Sequence, residues 1–194
     1  GRFWMIIITG ASGDLGKYLL SRFLGEGIEV IGIDTTLRPD NFSDKIRFEI
    51  LDISDTSALN KLWQSIDFNQ EITLINLVGR ISDDPLMSYF MSNNSNDFLK
   101  AFEESLDSNL IPIVNCTISF SQHAFMNSTK VQVINFGSIS SMGIAGQVPY
   151  GSAKGAVQLF SRIASVELGA YGVRINCIVP GYVDSPSLKY RTSN

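Results

Sequence analysis

The sequence predicts an α/β fold, a doubly wound parallel sheet with helices on both faces, in a single domain over residues 1–194. Three observations carry this expectation. Short apolar runs alternate with segments of helical period, as in a buried parallel sheet joined by crossover helices. A glycine-rich turn, Thr9-Gly10-Ala11-Ser12-Gly13-Asp14-Leu15-Gly16, separates the first apolar run from the first helical stretch. Late in the chain, Val157, Phe160, Ile163, Ala164 and Leu168 recur at three- and four-residue spacing, with Gly169 after them.

In order along the chain, the apolar runs place strands at residues 4–9, 29–34, 46–52, 72–78, 131–137 and 174–179. Helical period places helices at 15–24, 57–66, 96–121 (with a break allowed) and 150–168. Parallel neighbours need right-handed crossovers, so six strands in this sequence favour a doubly wound order. Residues 82–97 carry Asp83-Asp84-Pro85 and Ser92-Asn93-Asn94-Ser95-Asn96, a composition expected of a surface loop.

Composition narrows the function. Hydrophobic residues at 44% and charged residues at 18% are an ordinary globular balance, and 194 residues suffice for a sizeable core. A formal net charge of −4 argues against a nucleic-acid partner, which requires a basic surface. No apolar run has the length of a membrane span, and Met5-Ile6-Ile7-Ile8 is too short for a signal-peptide core. Cys116 and Cys177 lie in apolar segments and read as reduced core residues, which fits a cytoplasmic protein. With His123 the only histidine, read as a surface residue, no metal site is expected. Phe120, Phe125 and Met126 are expected in the core or at a subunit contact.

The glycine turn suits a diphosphate. Side chains at Gly10, Gly13 and Gly16 would block its approach to backbone N–H groups, and the helix start adds favourable partial charge. Asp34 ends the second strand, where a carboxylate can hydrogen-bond ribose hydroxyls and repel a 2′-phosphate. This favours NAD, while Arg38 is near enough to leave NADP open. Tyr150 and Lys154 stand four residues apart in Tyr150-Gly151-Ser152-Ala153-Lys154, on one helical face. A free tyrosine has a pKa of about 10, and a neighbouring ammonium favours its phenolate, making it useful in proton transfer.

With these motifs in order, the sequence resembles the short-chain dehydrogenase/reductase family in its single-domain branch, a Rossmann fold. The resemblance implies an oxidoreductase that moves a hydride between a nicotinamide dinucleotide and a small alcohol or carbonyl substrate. It makes Tyr150 and Lys154 the catalytic pair, Ser138 the serine that holds the substrate oxygen, and Asn109 the anchor of a proton-relay water. It assigns cofactor contacts to Gly10, Ser12, Gly13, Asp14, Leu15 and Gly16, and to Asp34. Asp52 and Ile53 are assigned to adenine, and Asn76, Val78 and Gly79 to the segment after strand four. Pro180, Gly181 and Val183 fall beside the nicotinamide, and Tyr150 and Lys154 also face the cofactor. A homodimer or homotetramer built on the long helices before Ser121 and after Tyr150 is implied.

The sequence departs from the family pattern in places. Asp14 stands where a glycine is usual and is a candidate cap of the first helix, and Gly10-x-x-Gly13-x-x-Gly16 resembles the longer sugar-nucleotide branch. Leu77 and Val78 replace an asparagine and an alanine, the Ser138–Tyr150 interval is one residue short, and Ser185 replaces a threonine. The usual covering segment, seventh strand and tail do not follow Gly181 before Asn194; either the native chain is longer or it lacks much of the substrate lid. A sugar-nucleotide epimerase or dehydratase and a non-catalytic dinucleotide-binding regulator therefore stay open beside the dehydrogenase.

Overall fold

Apolar runs at the expected places build one six-stranded parallel sheet in the computed structural model, which describes residues 4–40, 42–92 and 95–184. The strands are β1 (Trp4–Thr9), β2 (Glu29–Asp34), β3 (Arg47–Ile50), β4 (Glu71–Asn76), β5 (Val131–Phe136) and β6 (Val173–Ile178), in the order β3-β2-β1-β4-β5-β6. The helices are α1 (Asp14–Gly25), α2 (Thr56–Gln64), α3 (Leu86–Ser92), α4 (Ser95–Asn109), α5 (Ile111–Met126) and α6 (Val148–Leu168). The sheet is doubly wound: order runs outward from β1 through β2 and β3 on one side and from β4 through β6 on the other. The reversal between β1 and β4 opens a crevice at the strands' C-terminal ends.

The two-residue period of β1 divides the core. Met5 and Ile7 join Leu59 and Trp63 of α2 and Phe120 of α5 on one face, while Ile6 and Ile8 meet Leu20 of α1 on the other. Trp63 is fully enclosed because its Nε1–H finds Ser119 Oγ at 2.8 Å, and its ring meets Phe120 edge-on at 5.3 Å. On the opposite face Gly32 admits the close approach of α1; a Cβ there would lie 3.0 Å from Ala11 Cβ and 3.1 Å from Leu20.

Several expectations change. The stretch 96–121 is two helices, α4 and α5, because Pro112 cannot continue the α4 hydrogen-bond ladder and instead occupies the first turn of α5. Residues 82–97, expected as loop, contain all of α3 and the start of α4. The periodicity of that segment is hidden because α3 buries none of its residues; Met87, Phe90 and Met91 are exposed. Cys116 is core, but Cys177 is only half-buried, and both are free thiols. His123 is half-buried, stacked on Phe68. Ser185 and the residues after it lie outside the described residues. Among the described residues, no helix is long and apolar enough to cross a membrane.

Candidate active site

The glycine turn is built by contacts that admit no side chain. Gly10 has φ +70°, and a Cβ at Gly16 would fall 2.4 Å from the Gly10 carbonyl oxygen. The first turn of α1 therefore lies directly on the end of β1. Gly13, not Asp14, is the N-cap, and Asp14 begins the helix; the expected Asp14 cap is not formed. Leu15 follows it, half-buried. Asp34 Oδ2 accepts from the Ser12 backbone N–H at 2.9 Å, and Oδ1 accepts from Thr36 N–H and Oγ at 3.1 and 3.0 Å. The carboxylate so ties the glycine turn to the end of β2.

A groove of about 400 Å³ lies in the crevice. It is walled by Gly10 and Gly13, by Asp34, by Asp52 and Ile53, and by Val78 and Gly79. Ser12 Oγ is buried without a hydrogen-bond partner, a donor held at the glycine turn. Asp52 Oδ1 accepts from Ser54 N–H, and Asn115 Nδ2 of α5 donates to the Ile53 carbonyl at 2.8 Å, fixing the loop at this end of the groove. Sequence reasoning missed Asn115, as well as Leu77, Ser108 and Pro112 in the groove wall. Only their adjacency to named residues could have pointed to them. A larger hollow, about 910 Å³, opens at the opposite, N-terminal ends of the strands beside Met5, Phe68 and Thr129. It contains none of the expected residues.

Helix α6 brings Tyr150 and Lys154 to the same sheet end. Both are buried. Lys154 Nζ donates to the Phe136 carbonyl at 3.1 Å and the Val78 carbonyl at 3.3 Å, the chain positions that leave β5 and β4. Burial pushes the ammonium down from the ordinary lysine range to about 8, and the nearby Cys177 thiol acts weakly the other way. A Cβ at Gly79 would lie 2.7 Å from both Lys154 Nζ and Asn109 Oδ1, so Gly79 is where those two side chains converge. Asn109 is fully buried at the end of α4. Its Oδ1 accepts from Arg80 N–H at 2.9 Å, and its Nδ2 donates to the Arg80 and Ser105 carbonyls, both at 3.0 Å. The amide thus holds the loop after β4 beneath Lys154.

Ser138 follows β5 and caps a 3-10 turn, Ile139–Met142, accepting from Ser140 N–H. That turn is docked on α6. A Cβ at Gly151 would lie 2.7 Å from the Ser140 carbonyl oxygen, and Gln158 Nε2 donates to the Ser138 carbonyl at 3.2 Å. Pro180 reaches the same turn, its carbonyl accepting from Ile139 N–H at 3.1 Å, and Gly181 and Val183 continue outward, exposed. Asn76 stands apart from the groove wall. It is fully buried in a network with Thr9 Oγ1, Thr117 Oγ1 and Asn135 Oδ1, which knits β1, β4, β5 and α5 below the crevice.

The sequence profile of the short chain dehydrogenase family matches residues 4–194. The chain belongs to the short-chain dehydrogenase family. It is an oxidoreductase. The short-chain reductase protein NovJ of Streptomyces niveus is 28% identical over 190 residues, which cover 93% of this chain and 69% of that protein. The 3-oxoacyl-acyl-carrier-protein reductase FabG of Salmonella typhimurium is 25% identical over 187 residues, covering 92% of this chain and 73% of the relative. Among solved structures, a short chain dehydrogenase from Leptospira borgpetersenii with bound NAD+ superposes with TM-score 0.78 at 23% identity, over 96% of this chain and 74% of that one. ElxO with NADP bound gives TM-score 0.82 at 22% identity, over 99% and 79%. These likenesses show the same fold, and the family match does not favour the epimerase or the regulator.

Proposed function

We propose that this oxidoreductase moves a hydride between a nicotinamide dinucleotide, NAD in preference to NADP, and a small alcohol or carbonyl compound. The observation that carries the reading is the buried Lys154 ammonium, held by the Val78 and Phe136 carbonyls one helical turn from Tyr150. The groove fits the dinucleotide. Gly10 and Gly13 leave backbone within reach, Ser12 Oγ waits without a partner, and Asp52 and Ile53 line the far end for adenine. Asp34 supports NAD, since a 2′-phosphate would meet its carboxylate. Arg38 is turned away, donating to the Phe42 and Ser43 carbonyls.

When bound, the nicotinamide supplies or takes the hydride at its C4. Tyr150 gives or removes the proton at the substrate oxygen, and the Lys154 cation favours its phenolate. Ser138 orients that oxygen, and Asn109 keeps the Gly79–Arg80 loop beneath Lys154. Tyr150→Phe deletes one hydroxyl, so turnover on a panel of alcohols and ketones should fall by roughly 10²–10⁴-fold while dinucleotide affinity stays within about twofold. A Tyr150→Phe variant that keeps most of its turnover overturns the mechanism.

Assembly as a homodimer or homotetramer is part of the reading. Ile118 and Phe125 on α5, and Leu159, Ile163 and Val166 on α6, form exposed apolar stripes suited to a second copy. Light scattering at micromolar concentration should give at least a dimer mass; a monomer removes this part. The free thiols fit a cytoplasmic setting.

A further inference from the structure

A chain of side-chain hydrogen bonds leads from Ser138 to a segment more than fifty residues earlier. Ser138 Oγ donates to Ser140 Oγ at 3.0 Å, Ser140 Oγ donates to Gln147 Oε1 at 2.7 Å, and Gln147 Nε2 donates to Asp83 Oδ1 at 2.8 Å. The direction of each link follows from the groups. A carboxylate only accepts, so Asp83 takes the amino end of the Gln147 amide. The amide oxygen, also only an acceptor, then faces Ser140 and claims its one hydroxyl hydrogen. Without substrate the Ser138–Ser140 contact uses the Ser138 hydrogen; a substrate oxygen takes over that hydrogen, while the Ser140 backbone N–H at 3.2 Å keeps the Ser138 oxygen in place from the other side.

The scaffold around this chain holds its two ends in register. Asp84 N–H donates to the Gly146 carbonyl at 2.8 Å, and Asp84 forms an isolated parallel bridge with Gln147. Tyr89 Oη of α3 donates to Asp84 Oδ1 at 3.2 Å. Gln147 occupies the N-cap position of α6, yet its side chain makes no cap hydrogen bond; its reach toward Ser140 and Asp83 is therefore not a helix-capping role. Its backbone carbonyl keeps Gly151 N–H whatever side chain it bears.

We propose that Gln147 is a positioning residue of the reaction, fixing Ser138 through Ser140, and that Asp83 sets the orientation of its amide. The inference rests on the role given above to Ser138, which needs its oxygen held at one place to orient a substrate oxygen. Asp83 and Gln147 stand 64 positions apart, so nothing in the local sequence of either marks the pairing.

The test uses the full chain with NAD+ and three alcohols, 2-propanol, cyclohexanol and 1-phenylethanol, with the corresponding ketones and NADH. Gln147→Ala should lower kcat roughly tenfold, the scale expected of a loosened reacting geometry, with the NAD+ dissociation constant and the circular dichroism unchanged. Gln147→Glu supplies a readout that a merely structural role would not move. The titratable groups around position 147 are Asp83, the neighbouring Asp84 with its Tyr89 partner, and Tyr150 on α6. In that variant the introduced carboxyl, when protonated, can donate to Asp83 and accept from Ser140. Once ionised, it is repelled by Asp83. Activity relative to the unaltered chain should therefore be highest near pH 5, where the adjacent Asp83 carboxylate keeps the introduced carboxyl partly protonated, and fall several-fold by pH 8. Adding Asp83→Asn should flatten that fall, because an asparagine amide can donate to the ionised glutamate. A flat ratio for Gln147→Glu, or Gln147→Ala within twofold of the parent, overturns the inference while leaving the dehydrogenase reading in place. A parent chain that turns over none of the six compounds overturns both.

Discussion

The two ends of the crevice are built by different means. Around Gly10–Gly16 and Asp34, position is set by main chain on main chain: α1 lies so close to the end of β1 that a methyl group at Gly16 would meet the Gly10 carbonyl at 2.4 Å. Around Ser138, position is set by side chains that cross the site, from Ser140 and Gln147 to Asp83. Main-chain packing yields little to substitution, because a clash moves a whole helix against a strand. A side-chain relay yields readily, because a water or a different rotamer can replace any one link at modest cost. The glycine-turn end is thus rigid, and the Ser138 end adjustable.

Gly16→Ala tests the rigid end and should have the largest effect on the fold. It should cost about 2–3 kcal/mol, lowering the melting temperature by roughly 5–10 °C, and should abolish measurable NAD+ binding. Calorimetry and a fluorescence titration with NADH check both. An alanine variant with parental melting and affinity would show that α1 can draw back from β1, and the comparison would lose its basis.

Lys154 lies where the two ends meet, and its burial has a pH signature. Its folded pKa, about 8, is below the unfolded value of 10.5, so between those values the unfolded chain binds more protons and stability rises with pH. The penalty for the buried ammonium is present in full below pH 8 and relieved as pH climbs toward 10.5. Relative to Lys154→Met, the cofactor-free parent should gain up to about 3 kcal/mol between pH 7 and pH 10.5. Urea unfolding of both proteins at the two pH values measures it. A constant difference, or one that shrinks for the parent, contradicts the burial argument.

Asp34→Ala gives the smallest change. It removes the proposed ribose acceptor and the tie to Ser12 N–H together, so NAD+ affinity should fall about tenfold and NADP+ affinity change little, narrowing the preference. Competitive titration of the two nucleotides reads it directly. A parent that binds NADP+ as well as NAD+ would remove the preference assigned to this carboxylate.

The features legible before folding are local and periodic. The runs in β1 and β2 have the bounds the apolar pattern places there, and the glycine turn, Tyr150 and Lys154 stand in short motifs legible from their spacing. The break at Pro112 was allowed for but not located, and α3 was read as loop because a helix that buries nothing leaves no apolar stripe to detect. The folded chain alone reveals what distant segments do to one another. It set the order β3-β2-β1-β4-β5-β6 and sank Asn76 into a network beneath the crevice rather than in its wall. It put Asn115 behind Ile53 and brought Asp83 to Gln147. A periodic pattern records which face of an element is buried, not which partner buries it. Partners are chosen by crossover connections and by hydrogen bonds that form only once the sheet has assembled.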